Sequence, residues 1–376
     1  MTKGYQICSR CIMDTTVPDI IFNEQGVCNL CIQYEQRIKK ELHYDAAGHA
    51  SLQNLITKIK AKGSRSEYDC LIGVSGGVDS TYVAYLVKKK FGLRPLAVHL
   101  DNGWDTELAV ANVEQTMKRL EIDLFTYVLN WEEFKDLQIS FLKSSISNAE
   151  IPTDHAIWAI LIRMAATKGI KYIISGSNIV TECLMPESWL YGSKDARIIN
   201  AIQRQYGTAK LKTFPQLSTL DFVYYLMIKG IRWVPILNHV PYNKKEAKRI
   251  LCEELDWRDY GGKHYESVYT RFFHAYYLPK KFNVDLRQAY TSALIMSGQI
   301  TRDEALQEIQ KPPYPSDLME EDKEFVIKKL GLSQGEFNQI MTAPPRPYSD
   351  YANIDKLWRR FSGIVNFARN RIIGEN

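Results

Sequence analysis

The chain has 376 residues, 45% hydrophobic and 24% charged, the balance of a globular protein that buries a core without any special stabilising device. No apolar run approaches the roughly 18 residues a membrane span needs, and "MTKGYQICSRC" at the start has no signal-peptide apolar region, so a cytoplasmic protein with no membrane partner is expected. A net charge of +5 suits a phosphorylated or nucleotide-linked substrate and falls short of a nucleic-acid footprint, so no nucleic-acid partner is expected.

Seven cysteines is an odd count for a chain without an export signal, and four of them, Cys8, Cys11, Cys28 and Cys31, have the spacing C-x₂-C-x₁₆-C-x₂-C. Two such pairs predict a four-thiolate tetrahedral zinc site. Four protein ligands leave no open position, so the zinc is expected to be structural, folding a knuckle too poor in apolar residues to fold alone. Cys70 and Cys252 are expected in the core, while Cys183 stands singly. Residues 34–68 are charged and helical in pattern and lead to the stretch "DCLIGVSGGVDSTYVAYLV" at 69–87.

That stretch reads as a short apolar strand, a glycine-rich turn and a helix. No lysine follows Gly77, which excludes the Walker loop, and the spacing of Gly73, Gly76 and Gly77 does not supply G-x-G-x-x-G. Adjacent Gly76 and Gly77 let backbone approach a ligand, Ser75 and Ser80 offer hydroxyls, and the N–H groups of the helix from Val78 favour an anion. A phosphate is expected there.

An alternation of helices (80–91, 107–120, 155–168) and strands (94–101, 124–129, 171–176) predicts an α/β fold, a parallel sheet with crossover helices. Ligands in such sheets sit beyond the carboxyl ends of the strands. Those ends carry His99, Asp101, Asn102 and Gly103 in "HLDNGWD", and Gly176, Ser177, Asn178 and Glu182 in "SGSNIVTE". Arg163 is a candidate phosphate contact or a solvated helix face. Residues 183–220 break the alternation and are expected to build the acceptor pocket; "YGSKD" there offers Tyr191 and Lys194 to a sugar bearing a carboxylate or phosphate. Then "WRDYGGKHYESVYTRFF" gathers Tyr260, Lys263, His264, Glu266 and Arg271, with Gly261 and Gly262 letting Lys263 reach an α or β phosphate. The remainder is helical with proline-rich punctuation, and near its end Leu357, Phe361, Ile364, Val365, Ala368 and Ile372 share one helical face.

The string S-G-G-V-D-S resembles the pyrophosphate (PP) loop of the N-type ATP pyrophosphatases, a superfamily that includes GMP, asparagine, NAD and argininosuccinate synthetases and the tRNA thiolases. The resemblance implies an adenine nucleotide alpha hydrolase-like fold in which residues 75–80, Ser75, Gly76, Gly77, Val78, Asp79 and Ser80, bind ATP with Mg²⁺. Asp79 would hold the metal or order the loop, and charge developing on the leaving pyrophosphate would be stabilised there. It also implies backbone contacts to adenine from Val98 and His99, and a G-x-N/H motif near ATP at Gly176 and Asn178. Pro235, Lys245 and Glu246 match the segment that ends the pyrophosphatase core in thiolases and related synthetases.

The Cys₄ knuckle, "SGGVDS", "HLDNGW", "WRDYGGKHYES" and the segment from "LPKKF" onward together look like the N-acetyl sugar amidotransferases of bacterial surface-polysaccharide assembly, the WbpG and PseA group. The likeness spans nearly the whole chain. It implies a zinc knuckle at 1–40, a PP-loop domain at 41–260 and a helical C-terminal region at 261–376. The implied reaction converts the acetamido group of a nucleotide-linked sugar into an acetamidino group, in O-antigen or nonulosonic acid biosynthesis. ATP adenylates the amide oxygen, ammonia adds, and AMP leaves. Catalytic roles fall to Asp79, Lys263, His264 and Glu266, and substrate contacts to Tyr191, Lys194 and Arg271. Thr2 follows Met1 and no G-x-C-x-G elbow is present, so neither type of glutaminase nucleophile is expected in this chain. A glutaminase acting in trans follows, and the resemblance suggests a HisH-like enzyme with a HisF-like companion. The alternative is a tRNA thiolase, with Cys183 as the persulfide carrier.

Overall fold

The computed structural model describes residues 4–354; the apolar stripe expected from Leu357 to Ile372 lies outside the described residues. Five strands, β1 (Cys70–Gly73), β2 (Pro95–Asp101), β3 (Asp123–Val128), β4 (Tyr172–Ser175) and β5 (Arg232–Pro235), form one parallel sheet in the order β3-β2-β1-β4-β5. The expected parallel α/β fold is present. Sequence reading supplied four of the strands; β5 is the fifth, only four residues long, in the segment after the 183–220 insertion.

Successive side chains of the central strands are buried on alternate faces, as in a sheet covered on both sides. Leu71, Leu96, Val98 and Ile173 enter one buried cluster, whereas Cys70, Ile72, Ala97, Tyr172 and Ile174 enter another on the opposite face. The first cluster continues through Cys8, Cys11, Cys28, Cys31 and Tyr34 and on to Tyr269, Phe272, Phe273 and Phe337, so one core joins the cysteine knuckle, one face of the sheet and the C-terminal helices. Cys252, expected in a core, is exposed, because its position on the helix Lys244–Leu255 lies away from the buried line Ala247, Leu251 and Leu255.

The helix expected at 80–91 runs as Val78–Tyr85 and then widens into a π-helical turn, Leu86–Lys90. The helix expected at 155–168 begins earlier, at Ile151, with Pro152 in its first turn, where the missing N–H costs nothing. Trp131–Ser144 is an additional helix whose start is set by Asn130 accepting from Glu133 N. Residues 183–220 contain the helix Ala196–Tyr206, capped by Asp195, and the start of the helix Thr219–Val223, opened by a Ser218–Asp221 capping box. No helix among the described residues is long and apolar enough to cross a membrane.

Candidate active site

The loop after β1 is held in one shape by groups far away in sequence. Gly76 has φ +83, and a Cβ built on it would stand 2.8 Å from the Tyr260 hydroxyl and 3.0 Å from the Ala109 carbonyl. Its own carbonyl accepts from Trp257 Nε1 and from the Tyr260 hydroxyl, each at 2.9 Å. Ser75 Oγ and Ser80 Oγ lie 3.2 Å apart, and Ser80 also donates to the Gly77 carbonyl. Gly77 precedes the helix Val78–Tyr85 without any side-chain cap, which leaves its first N–H groups to a ligand. Gly76→Ala combines a left-handed φ with two close contacts, so it should destabilise the fold by roughly 1–3 kcal/mol and weaken ATP binding at least about tenfold by displacing the turn. Denaturant melts and an ATP binding isotherm on the same variant check both parts.

A cavity of about 340 Å³ opens over this loop, between the carboxyl ends of β1 and β4. That is the point where the strand order reverses, the place where open α/β sheets bind ligands. Ser75, Gly77, Val78, Asp79 and Ser80 form one wall, and Gly176 and Ser177 form the facing one. Gly176 is required there: a Cβ would stand 3.0 Å from the Asp79 carbonyl carbon. Asp79 accepts a hydrogen bond from the Tyr242 hydroxyl, which fixes the carboxylate at the cavity wall.

Three lysines converge on the cavity: Lys244, Lys248 and Lys263. Lys244 and Lys248 are one turn apart at the start of the helix Lys244–Leu255, whose cap is Asn243. Lys245 and Glu246, singled out by resemblance, point to solvent, and Glu246 pairs with Arg249. The i, i+4 lysine pair just after Asn243 was the legible signal that sequence reading passed over. Lys263 Nζ lies 3.5 Å from Glu182 Oε1 and 3.4 Å from the centre of the Tyr290 ring. Burial lowers its pKa, and the Glu182 carboxylate works against that shift.

His264 and Glu266 line the same cavity. Glu266 stands beside the loop, its Oε1 3.2 Å from where a Cβ on Gly77 would be, and His264 Nδ1 is 3.6 Å from that oxygen. Burial pushes the His264 pKa down to about 4, so its imidazole is neutral at pH 7. Burial opposes ionisation of Glu266, yet the neighbouring His264 outweighs burial and holds its pKa below the usual range.

Several expected contacts fall elsewhere. β2 continues to Asp101, so Val98 is still inside the sheet, its carbonyl accepting from Val74 N at 3.0 Å. The His99 ring is buried between the Val74 carbonyl (2.8 Å) and Asp105 (3.1 Å). Burial disfavours its charge, but those two partners outweigh burial and raise its pKa. Neither residue lines the cavity. Asn178 caps the short helix Ile179–Glu182 through Thr181 N and donates to the Gly176 carbonyl, so it shapes the strand end. Tyr191 and Lys194 line a different cavity of about 330 Å³, with Trp158, Phe222 and Trp233. Lys194 Nζ stands 3.9 Å over the Trp158 ring. Arg271, expected on substrate, directs its fork at Asp322 (2.6 and 2.7 Å) in a nearly buried ion pair between two C-terminal helices. Arg163 is exposed and donates to the Gln216 carbonyl. Cys183 lies outside the cavity lining, and burial pushes its thiol up to about 11.

The cysteine tetrad is a separate centre. All four side chains are buried, and their sulfurs lie within 4.8 Å of one another. Cys8 and Cys31 Sγ are 3.9 Å apart, and Cys11 and Cys28 Sγ 3.7 Å. A tetrahedral thiolate cage with metal–sulfur bonds of about 2.3 Å requires sulfurs about 3.8 Å apart, so the residues fit a metal ion. Backbone N–H groups of Arg10, Cys11 and Cys28 point at Cys8 Sγ at 3.3–3.5 Å, the support a thiolate needs.

With the geometry in place, comparison with known proteins adds two family matches. Residues 49–178 match the model for NAD synthase, and residues 266–364 match that for "LPS biosynthesis protein WbpG-like, C-terminal domain". Both parts of the expected resemblance are matched. The sheet, the loop and the first match are those of a PP-loop domain, a type that uses ATP and Mg²⁺. The second ties the C-terminal region to lipopolysaccharide biosynthesis proteins. An uncharacterized protein of Methanocaldococcus jannaschii is 24% identical over 343 residues, 86% of this chain and 99% of its own length. Among solved structures, the NH3-dependent NAD synthetase of Campylobacter jejuni is 16% identical over 73% of this chain and 91% of its own, with a TM-score of 0.31. The NMN synthetase of Francisella tularensis is 16% identical over 55% and 92%, with a TM-score of 0.30.

Proposed function

We propose that this protein is an ATP-dependent amidotransferase of surface-polysaccharide biosynthesis. It adenylates the acetamido oxygen of a nucleotide-linked N-acetyl sugar and lets ammonia displace AMP. The observation that carries the reading is the convergence of two matched segments on one cavity: the loop at 75–80 from the first, and Glu266, where the second begins, with His264 and Lys263 just before it. A neutral amide oxygen is a poor nucleophile and oxide a worse leaving group, so ATP coupling is chemically required. When bound, ATP with Mg²⁺ supplies the adenylyl group. Ser75, Ser80 and the helix N-terminus receive the pyrophosphate, with Lys244, Lys248 and Lys263 balancing its charge. Asp79, fixed by Tyr242, would hold Mg²⁺ when the nucleotide is bound.

The same reading assigns zinc to the cysteine tetrad, the ranges 1–40, 41–260 and 261–376 to knuckle, PP-loop domain and helical region, and the cytoplasm as the site of action. Ammonia comes from a glutaminase in trans, a HisH-like enzyme with a HisF-like companion. A tRNA thiolase needs a reactive thiol at the nucleotide, and the raised pKa and outlying position of Cys183 speak against it.

The test supplies purified enzyme with ATP, Mg²⁺, ammonium and a panel of UDP- and CMP-linked acetamido sugars. AMP, pyrophosphate and a product in which NH replaces O by mass are expected, and Cys183→Ala should keep most of that activity. Release of ADP and orthophosphate, or sulfur transfer that depends on Cys183, would overturn the reading.

A further inference from the structure

Behind Lys263 and His264, which line the cavity, stands a second group of polar side chains from three further elements. Glu150 and Asp154 stand at the start of Ile151–Thr167, His274 lies in the π-helical turn Phe273–Tyr277, and Tyr290 is on Leu286–Met296. His274 Nε2 is 3.2 Å from Glu150 Oε2, and the Thr270 hydroxyl donates to Glu150 Oε1 at 2.6 Å. The His264 and His274 rings meet edge to face with centroids 4.7 Å apart, and His264 Nε2 lies 3.3 Å from the Tyr290 hydroxyl. Water reaches these groups although protein surrounds them: the side chains of Glu150, His274 and His264 keep 13%, 14% and 25% of their accessibility.

Charge in this cleft is divided. Lys244, Lys248 and Lys263 stand on the loop side. Beyond them, the Tyr290 hydroxyl feels four carboxylates, Glu182, Glu150, Asp154 and Glu266, whose charges add to burial in raising its pKa. Asp154, one turn beyond Glu150 on the same helix, is open to water, and desolvation by the surrounding protein, followed by the charge of Glu150, pushes its carboxyl up to about 7. Phosphates explain the cationic half and leave the anionic half without a purpose.

The backbone marks the same spot. Five non-glycine residues among those described have positive φ; Glu121, Ser145, Asp256 and Asn283 each close a helix, where that conformation is routine. His264, at φ +63, closes none. A strained residue aimed into a cleft is characteristic of functional sites. The Tyr269 hydroxyl, 1% exposed and close enough to feel the charge of Glu150, has no hydrogen-bond partner. A transition metal does not account for the cluster: among the described residues, only the cysteine tetrad brings three such ligands together.

Resting on the amidotransferase reading, we propose that the recess of Glu150, Asp154, His264, His274 and Tyr290 is a nitrogen subsite, which receives ammonia and holds the amidinium group of the product. In the adenylated substrate the acetamido carbon is bonded to oxygen of AMP and doubly bonded to a protonated nitrogen. The ammonia lone pair forms a new C–N bond while the C=N pair returns to the sugar nitrogen. One proton then leaves the added nitrogen for the neutral imidazole of His264. Finally the C–O bond breaks, its electron pair goes to AMP, and the second nitrogen's lone pair completes a C=N bond, leaving a cation spread over two nitrogens. Carboxylates opposite that cation stabilise it as it forms. The Glu150–His274 pair is a positioning element that keeps the His264 ring in place.

The first experiment titrates acetamidinium chloride, and separately neutral acetamide of the same shape, into ATP-free enzyme while the imidazole signals are followed by NMR. Acetamidinium should move the His264 and His274 signals saturably, acetamide should not, and Glu150→Gln should weaken the response about tenfold. Equal responses to both probes, or none, overturn the subsite whatever the reaction is. The second compares acceptor-dependent ATP–pyrophosphate exchange without ammonium against ammonium-driven product formation. Glu150→Gln and His274→Asn should leave exchange within about threefold and raise the KM for ammonium at least tenfold. Parallel loss of both activities would show that the pair only supports the nucleotide cavity. Absence of exchange in the wild type would instead count against the amidotransferase reading, leaving the NMR result to decide the subsite.

Discussion

Lys263→Ala should lower acceptor-dependent release of pyrophosphate by about 10²–10³-fold, the loss typical of removing one donor aimed at developing charge in a water-poor site. The geometry makes this lysine hard to replace. Gly261 turns the chain with φ +82, and a Cβ on Gly262 would meet the Tyr265 ring at 2.5 Å, so the backbone enters the cleft along a path open only to this pair. Glu182 and the Tyr290 ring then hold the ammonium in place. Because burial lowers its pKa, Lys263 loses its proton at a lower pH than a free lysine does. The wild-type rate should therefore fall on an alkaline limb, and Lys263→Arg, permanently charged but of different shape, should be slower at neutral pH and lack that limb. Lys244→Ala serves as the comparison. If it costs as much as Lys263→Ala while the limb persists in Lys263→Arg, the phosphate role belongs to the other lysines.

How much of this was legible in the sequence depends on the range of the determining interactions. The loop at 75–80 and the tetrad were readable because each is a local string whose glycines or cysteines have few other uses at that spacing. The sheet was readable from its alternation of apolar strands and amphipathic helices, except β5, which follows the 183–220 insertion where that alternation is broken. What failed was decided by tertiary pairing. Nothing near Arg271 in sequence announces that Asp322, 51 residues on, will take its guanidinium. Nor does "YGSKD" disclose that Trp158 will draw Lys194 into a second cavity. Val98 and His99 failed by two residues of strand length, which kept their polar groups inside the sheet. Lys244 and Lys248 were within reach of a helical reading from Asn243, whereas the approach of His274 and Glu150 joins segments 124 residues apart and needs the fold.

Cys28→Ser should abolish metal binding and cost more than the knuckle alone. Structural zinc contributes on the order of 10 kcal/mol to small zinc domains at neutral pH, and a serine hydroxyl is a poor fourth ligand. Cys28 also stands directly before the helix Asn29–Glu41, with no side-chain cap to take over its role in starting that helix. The knuckle is clamped to the C-terminal region: Arg302 donates to the carbonyls of Cys8 and Cys11, each at 3.0 Å, and Ile12 N donates to Ser292 Oγ at 3.2 Å. Ser292 lies on the helix Leu286–Met296, the same helix that places Tyr290 under the Lys263 ammonium. Losing the metal should thus loosen the helix that forms one wall of the active site. The expected results are zinc falling from one per chain to none by elemental analysis, early proteolytic cleavage within residues 4–41, a lower Tm, and reduced pyrophosphate release although Cys28 touches no part of the cavity. Intact activity and stability in a metal-free variant would show that packing by itself holds the knuckle and that the clamp through Arg302 and Ser292 transmits nothing.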